Sequence, residues 1–301
     1  MSEAPAIEVC DLSVTYGSGP DAALAVSGMS FTVERGEAFG LVGESGSGKT
    51  TMAIALLGLL KPPARIVSGR LYVNGNDLLA ASPSTLRELR WKQIAFIPQG
   101  AMNALNPVTK VGKQIRECFA AHGEGASPRK LKPQIGALLV SVGLKPEVYD
   151  MYPHELSGGM KQRVCIAMAT ALHPDVIVAD EPTSSLDVVV QRQVVESIRH
   201  VQATLGATLL FIGHDLALQA QVSDRIGVMH RGRLVEVGPT TAVFANPAHW
   251  YTRMLLTSIP SLPGRVALPA FEDGGTEQEV EPNGSLPLRE IGPGHYAEVP
   301  A

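Results

Sequence analysis

The fold of this 301-residue chain is decided by residues 38–50, with the sequence AFGLVGESGSGKT. The first five residues are apolar and predict a buried strand, and the residues from Lys49 onward have the apolar spacing of a helix. Between them, Gly43 to Thr50 match the pattern G-x-x-x-x-G-K-[ST], which binds phosphates when it lies between a strand and a helix. The sequence therefore predicts an α/β core with a phosphate-binding loop at the carboxyl edge of its sheet.

This loop supplies three kinds of group to a nucleotide. Its glycines let consecutive backbone N–H groups turn toward phosphates, and the helix N-terminus adds a partial positive charge. Lys49 is expected to reach the β and γ phosphates, and the hydroxyl of Thr50 is a ligand for Mg²⁺. A glycine-rich turn without a ligand would leave the lysine and the threonine unexplained. The expected nucleotide-binding residues here are Gly43, Glu44, Ser45, Gly46, Ser47, Gly48, Lys49, Thr50 and Thr51.

An acidic pair follows a second apolar strand. Residues 176–179 are all apolar and lead directly into Asp180 and Glu181. A central parallel strand delivers its last residues to the same sheet edge as the phosphate loop. We expect Asp180 to hold Mg²⁺ through water and Glu181 to polarise the water that attacks the γ phosphate. A helix N-cap or a solvated acidic pair is the common alternative when such a pair stands alone.

Two further polar residues follow apolar strands. Gln99 comes after residues 94–97 and Pro98, and His214 comes after residues 208–212. Both are expected at the same carboxyl edge. A lone histidine in that position is more often structural than catalytic, and a loop glutamine usually faces solvent. Neither residue identifies a reaction by itself.

The rest of the chain is organised around this core. Strand-like and helical segments alternate, which favours an α/β class with a largely parallel sheet. Between about Leu105 and Glu155 helical spacing occurs without an intervening strand, which predicts a helical insert. From Pro260 onward proline and glycine are frequent and acidic residues cluster, so we expect a poorly packed tail.

Composition narrows the function classes. Hydrophobic residues make up 45% and charged residues 18% of the chain, close to ordinary globular usage. No apolar stretch approaches the roughly 20 residues that a membrane span needs, and no signal peptide is expected, so the chain is predicted to be cytoplasmic. The net charge of -4 and the lack of a basic block argue against nucleic acid as a ligand. The three cysteines have no metal spacing and are predicted to be reduced and structural.

Residues 156–163, LSGGMKQR, stand before a helix and the acidic strand. This segment resembles the signature sequence of the ATP-binding cassette (ABC) family. The resemblance implies a P-loop NTPase core with an antiparallel N-terminal β-subdomain and a helical subdomain inserted at about residues 100–172. It also implies a head-to-tail dimer of ATPase subunits, in which each signature contacts the γ phosphate of ATP held by the other subunit. The residues expected to make that contact are Ser157, Gly158 and Gly159.

The remaining motifs of the family fall in order along residues 7 to 240. Tyr16 resembles the aromatic that stacks on adenine, and residues 184–187 resemble the loop that contacts the opposite subunit. Gln99 resembles the glutamine that approaches Mg²⁺ and reports the γ phosphate to the helical subdomain. With His214 as the switch histidine, the resemblance implies a catalytic set of Glu181, His214 and Gln99. The expected cofactors are ATP and Mg²⁺.

Two segments resemble the branch of ATPase subunits that serve oligopeptide, dipeptide and nickel importers. They are residues 99–107, QGAMNALNP, and residues 246–253, NPAHWYTR, with a further likeness at residues 287–295. This implies an ATPase domain at residues 1–258 and a branch-type extension, loosely ordered, at residues 259–301. The branch often has several cysteines in that extension, but this chain has none beyond Cys165, so a metal or iron-sulfur centre there is not expected.

The implied function is ATP hydrolysis that drives uptake of peptides or similar small solutes. Its partners would be a second ATPase subunit, integral membrane permease subunits and, indirectly, a solute-binding protein, with the chain peripheral on the cytoplasmic face of the membrane. An accessory ATPase of a soluble enzyme complex, of the phosphonate-cleaving type, stays open because its motifs are shared. A DNA-remodelling or ribosome-acting cassette is disfavoured by the single cassette and the lack of a heptad run. A simple kinase or GTPase would leave residues 156–160 unexplained.

Overall fold

A computed structural model describes residues 4–19, 22–100, 104–184, 186–257 and 287–299. Two sheets organise these residues. The smaller sheet is antiparallel and has the strand order β2-β1-β4-β5. Its strands are β1 (Ile7–Tyr16), β2 (Ala23–Val33), β4 (Ala64–Val73) and β5 (Asn76–Asp77).

The larger sheet contains five adjacent parallel strands, which run in the order β9-β3-β8-β7-β6. Three antiparallel strands extend it beyond β9, in the order β10, β12 and β11. The parallel strands are β3 (Ala38–Val42), β6 (Ile94–Ile97), β7 (Val176–Asp180), β8 (Thr208–Gly213) and β9 (Arg225–His230). The antiparallel strands are β10 (Arg233–Pro239), β11 (Leu288–Gly292) and β12 (His295–Glu298).

Helices cover both faces of the larger sheet and form the insert between β6 and β7. The helices before and within the insert are α1 (Lys49–Leu56), α2 (Pro83–Lys92), α3 (Val111–Ala121), α4 (Pro128–Ser141) and α5 (Gly158–Ala169). Those after it are α6 (Val188–Leu205), α7 (Leu216–Val222), α8 (Thr240–Ala245) and α9 (Trp250–Thr257). Among the described residues no helix combines the length and the apolar character that a membrane span requires.

Two large apolar clusters fix the phosphate loop in space. One joins the antiparallel sheet to the larger sheet around α1, with Leu12, Leu41, Met52 and Leu56 all fully buried. The other packs the helical insert and α6 on the opposite face. Because α1 lies within the first cluster, the loop that precedes it is held between two rigid sheets.

The tail differs in part from the sequence-based expectation. We expected these residues to be loosely ordered, but the segments Leu288–Gly292 and His295–Glu298 form a β-hairpin. The second strand of this hairpin pairs with β10. The pairing joins residues about sixty positions apart, so local composition could not indicate it. Residues 259–286, which the same expectation covers, lie outside the described part of the chain.

Candidate functional site

The phosphate loop follows the fully buried strand β3 and closes on glycines that nothing larger could replace. At Gly43, with φ of 155°, an added Cβ would lie 2.1 Å from the carbonyl oxygen of Met229. At Gly48, with φ of 103°, it would lie 2.2 Å from the carbonyl oxygen of Ala25. Both distances are far below contact, so the sequence pattern here is imposed by backbone packing as well as by any ligand.

Lys49 is the first residue of α1 and is buried. Its Nζ donates to the carbonyl oxygens of Gly43 and Glu44, each at 2.7 Å, and to Ser47 Oγ at 3.2 Å. Burial lowers the pKa of this ammonium, and the negative charges of Glu181, Asp180 and Glu44 oppose that shift. The loop therefore surrounds the positively charged ammonium group of Lys49.

Asp180 ends strand β7 with a side chain that is 1% exposed. Burial raises the pKa of its carboxyl group, while a hydrogen bond with Thr50 and the charge of Lys49 oppose that rise. Its Oδ1 is buried without a hydrogen-bond partner. A buried unpaired carboxylate oxygen beside a threonine hydroxyl is the oxygen donor set that Mg²⁺ or its bound water takes, so these residues fit the ion expected here.

Glu181 is the next residue, and its backbone has a positive φ of 44°. Gln99 Nε2 donates to Glu181 Oε2 at 3.0 Å, and His214 Nδ1 lies 3.3 Å from Glu181 Oε1. Three strands, β6, β7 and β8, thus each bring one polar side chain to the same point. This meeting at the carboxyl edge was expected for all three residues.

These side chains share one cleft with the loop, with a volume of about 780 Å³. Gly43 and Ser47 are buried beneath it, and Asp180 lies buried beside Thr50. At its edge Tyr16 is 39% exposed, and the hydroxyls of Tyr16 and Thr51 are 3.3 Å apart. The lining residues are Tyr16, Ala25, Glu44, Ser45, Gly46, Gly48, Lys49, Thr50, Thr51, Gln99, Glu181, His214 and Leu255.

The signature segment lies elsewhere. Ser157 is exposed and caps α5, because its Oγ accepts from the backbone N–H of Met160 at 3.3 Å. Of the described residues that line the cleft, none belongs to the expected set Ser157, Gly158 and Gly159. Asp187 caps α6 in the same way, and Ser185 lies outside the described residues. One chain therefore brings together the loop, the acids, Gln99 and His214, but leaves the signature apart.

Three contributions to the cleft were not predicted from the sequence. Ala25 and Leu255 line it, and the hydroxyl of Tyr251 accepts from the backbone N–H of Glu44 at 2.9 Å. Tyr251 and Leu255 lie on α9, about two hundred residues from the loop. No local pattern connects positions so far apart, although residues 246–253 had been singled out by their resemblance to one branch.

Comparisons with known proteins agree with this geometry. The family model described as ABC transporter matches residues 26–184, and the model described as oligopeptide/dipeptide transporter, C-terminal region, matches residues 235–284. Among solved structures, the dimeric structure of MJ0796, a bacterial ABC transporter cassette, is 25% identical with a TM-score of 0.69, over 78% of this chain and 98% of that one. The cbiO1 protein of Clostridium perfringens is 26% identical with a TM-score of 0.70, over 80% and 91%.

Curated relatives place the chain more finely. The dipeptide transport ATP-binding protein DppD of Caldanaerobacter subterraneus is 41% identical over 84% of this chain and 78% of the relative. The oligopeptide transport ATP-binding protein OppD of Bacillus subtilis is 40% identical over 85% and 72%. The DppD protein of Escherichia coli is 41% identical over 84% and 78%. These findings confirm the family and the branch expected from the sequence. The chain belongs to the ABC transporter family, among the ATP-binding proteins of oligopeptide and dipeptide transporters.

Proposed function

We propose that this chain is the ATP-hydrolysing subunit of an importer that takes up peptides or similar small solutes. The observation that carries the proposal is the meeting of Lys49, Glu181, Gln99 and His214 in one cleft behind a phosphate loop. The relatives, which are named as peptide-transport ATP-binding proteins, support this function over an accessory role in a soluble enzyme.

The residues of the cleft have different proposed roles in hydrolysis, which follow from their positions. Lys49 and the loop N–H groups neutralise and orient the phosphates of ATP. Glu181 is the proposed base, which accepts a proton from the attacking water, and Gln99 and His214 hold its carboxylate from two sides. A bound Mg²⁺ would supply positive charge that offsets the negative charge developing on the phosphates during hydrolysis. Its proposed ligands are Thr50, Gln99 and, through water, Asp180.

We further propose that hydrolysis needs a second ATPase subunit. The N-terminus of α5 has a glycine pair behind Ser157 and is exposed, a geometry suited to anions. Because this terminus is not among the described residues that line the chain's own cleft, its proposed ligand is ATP held by another subunit. Tyr16 is the proposed adenine-stacking residue of each subunit. One structural neighbour, a dimeric post-hydrolysis state of the ATP-binding cassette MJ0796 bound to ADP and Pi, supports this arrangement.

Integral membrane permease subunits are the proposed second class of partner. A mostly apolar groove of about 350 Å³ lies beside the segment that begins at Gln99, and its walls include Leu59, Phe96, Leu105 and Met168. A short amphipathic helix of a membrane subunit would bury such walls. Through this groove, movement of the Gln99 segment would reach the permease.

This function implies a cellular location and a domain organisation for the chain. The chain would lie at the cytoplasmic face of the membrane as a peripheral subunit, with a solute-binding protein as an indirect partner and no nucleic acid. The ATPase domain is proposed at residues 1–258, with the helical subdomain at about 100–172. Residues 259–301 would form the branch-type extension.

The proposal is tested by purification of the tagged chain from its native cells, followed by reconstitution in liposomes. Integral membrane subunits should co-purify, and ATP should drive uptake of labelled peptides into the lumen. Met168→Glu in the groove should prevent co-purification, whereas Val67→Glu, at a half-exposed residue of the antiparallel sheet, should not. Co-purification of soluble enzyme subunits without any membrane protein would support the accessory role instead.

A further inference from the structure

Helix α9, which lies far from the phosphate loop in sequence, makes a direct contact with it. The side chain of Tyr251 is fully buried, and its hydroxyl accepts from the backbone N–H of Glu44 at 2.9 Å. One turn further along the helix, Leu255 lines the nucleotide cleft. The region matched by the oligopeptide/dipeptide transporter C-terminal model therefore forms part of the wall of the nucleotide cleft.

Several contacts hold Tyr251 in this position. Its ring packs against His230, with 4.0 Å between ring centroids, and meets the ring of Trp250 edge-on. The backbone N–H of Tyr251 donates to His249 Nδ1 at 3.2 Å. A phenol with a fixed ring and a fixed backbone can place its oxygen within a narrow range, as a positioning group requires.

The start of α9 is itself anchored by one carboxylate. Glu236 in β10 is completely buried, and its two oxygens accept the backbone N–H groups of Ala248 at 2.9 Å and His249 at 3.0 Å. The same carboxylate is 2.7 Å from Nε2 of His295, at the start of β12. A continuous set of bonds thus runs from the C-terminal hairpin, through Glu236 and α9, to the phosphate loop.

The hydrogen bond from the backbone N–H of Glu44 to Tyr251 restrains the conformation of the phosphate loop. The loop binds phosphates through several of its backbone N–H groups, and their orientation depends on the backbone conformation of the whole loop. At Glu44 the N–H is taken by Tyr251, while the carbonyl oxygen accepts from Lys49 at 2.7 Å. Both sides of this residue's backbone are therefore fixed before a nucleotide arrives. A loop that is already in its binding conformation loses less entropy on binding.

We propose that Tyr251 is a positioning residue for the phosphate loop, and that the C-terminal hairpin tunes nucleotide affinity through it. The proposal rests on the proposed function and deepens it by assigning a role to the branch-specific region. It predicts an effect on the binding of ATP rather than on its chemistry, because the contacts of Tyr251 with described residues reach the loop backbone and not Glu181, Gln99 or His214.

The test is Tyr251→Phe in the full chain, which keeps the ring and removes only the oxygen that accepts from Glu44. Its matched control is Tyr149→Phe, at a buried tyrosine of the helical insert. Because this hydrogen bond holds the loop backbone in its binding conformation, its loss should raise the Kd and KM for MgATP about 5- to 10-fold in Tyr251→Phe. The kcat at saturating ATP should stay within about twofold, and the control should change neither constant.

A second variant, His295→Asn, tests the hairpin's part without touching α9 or the loop. It should raise the KM for ATP by a smaller factor, and the double variant should be no worse than Tyr251→Phe alone, because both act through one contact. The inference is overturned if wild-type chain binds ATP and Tyr251→Phe binds it equally well, if the loss lies in kcat alone, or if the two factors multiply. Failure of wild-type chain to bind ATP would instead overturn the proposed function.

Discussion

Two glycine-rich segments of this chain each open a helix, and only one of them forms a cleft with acidic residues. The phosphate loop leads into α1 through Gly48, which has no side chain to cap the helix. The signature leads into α5 through Ser157, whose side chain does cap it. In the first case free N–H groups are left for a ligand. In the second case the protein satisfies one of them itself.

The surroundings differ even more than the caps. Behind the phosphate loop lie a buried lysine, a buried carboxylate with an unpaired oxygen, and Glu181 held by two polar neighbours. Ser157, by contrast, is exposed to solvent. A helix N-terminus alone can therefore contact a phosphate, but at the first loop Lys49 of α1 adds a positive charge, and the proposed base Glu181 follows strand β7. In the proposed dimer the signature would complete a site that it cannot form by itself.

The largest expected effect of a substitution falls on the first region. Glu181→Gln keeps the shape of the side chain and removes its basicity, so ATP turnover by the assembled complex should fall at least about 100-fold, the usual contribution of a general base. Affinity for MgATP should be retained. Glu196→Gln, at an exposed surface pair in α6, is the matched control and should leave turnover unchanged. Unchanged turnover in Glu181→Gln would remove Glu181 from the role of base.

The next effect concerns affinity. Lys49→Ala removes a charge that three loop acceptors hold toward the cleft. Charge-assisted hydrogen bonds contribute roughly 1.5–3 kcal/mol, so the Kd of the isolated chain for MgATP should rise about 10- to 100-fold, as measured by titration calorimetry. Lys61→Ala, at an exposed residue after α1, should bind normally. Equal affinities would mean that the loop does not hold the phosphates.

A smaller effect should separate the two regions. Ser157→Ala and Ser82→Ala each remove an exposed serine N-cap, since Ser82 Oγ accepts from Thr85 N at 3.1 Å at the start of α2. Both should lose about 1 kcal/mol of stability. Only Ser157→Ala should also reduce turnover in the complex, roughly 5- to 10-fold for one lost hydrogen bond. Affinity of the isolated Ser157→Ala chain for MgATP should match wild type, and a weakened affinity there would assign the signature to the chain's own cleft.

The sequence predicted the region around the phosphate loop almost completely. Strand β3 and the strands that deliver Gln99, Glu181 and His214 were placed within a residue or so, because continuous apolar runs followed by polar residues mark buried parallel strands. Since parallel strands share a carboxyl edge, their polar ends could be brought together without any coordinates. The family and branch followed from ordered motifs, and the comparisons confirm them.

What the sequence missed depends on contacts between distant positions. Helix α2 was overlooked because its residues are mostly polar, although Ser82 followed by Pro83 is a typical helix start. The strands of the hairpin β11-β12 are short, and β12 is positioned by its pairing with the distant strand β10. Tyr251 was noted within a branch-like segment, but its bond to Glu44 joins positions 44 and 251. Such pairings arise from packing, which a single sequence does not display.

The smallest effect concerns stability, and it tests why the first region differs from the second. Because burial raises the pKa of Asp180 above its unfolded value, its ionised form costs stability at pH values above the raised pKa, and that cost disappears as the pH falls through it. Asp180→Asn without nucleotide should therefore be more stable at pH 7, on the order of 1 kcal/mol or a few degrees in Tm, with a gain that shrinks in acid.

Asp175→Asn is the matched control, because Asp175 is exposed and directly precedes the opposite end of β7. It should show no gain at pH 7. In the presence of ATP, added Mg²⁺ should raise the Tm of wild-type chain and of Asp175→Asn more than that of Asp180→Asn, since the removed carboxylate is a proposed ligand. An Asp180→Asn chain that is less stable than wild type at pH 7 would show that the bond to Thr50 outweighs desolvation. The folded chain would then stabilise the Asp180 carboxylate by itself, just as Ser157 stabilises the N-terminus of α5. The contrast between the two regions would in that case rest on Lys49 and Glu181 alone.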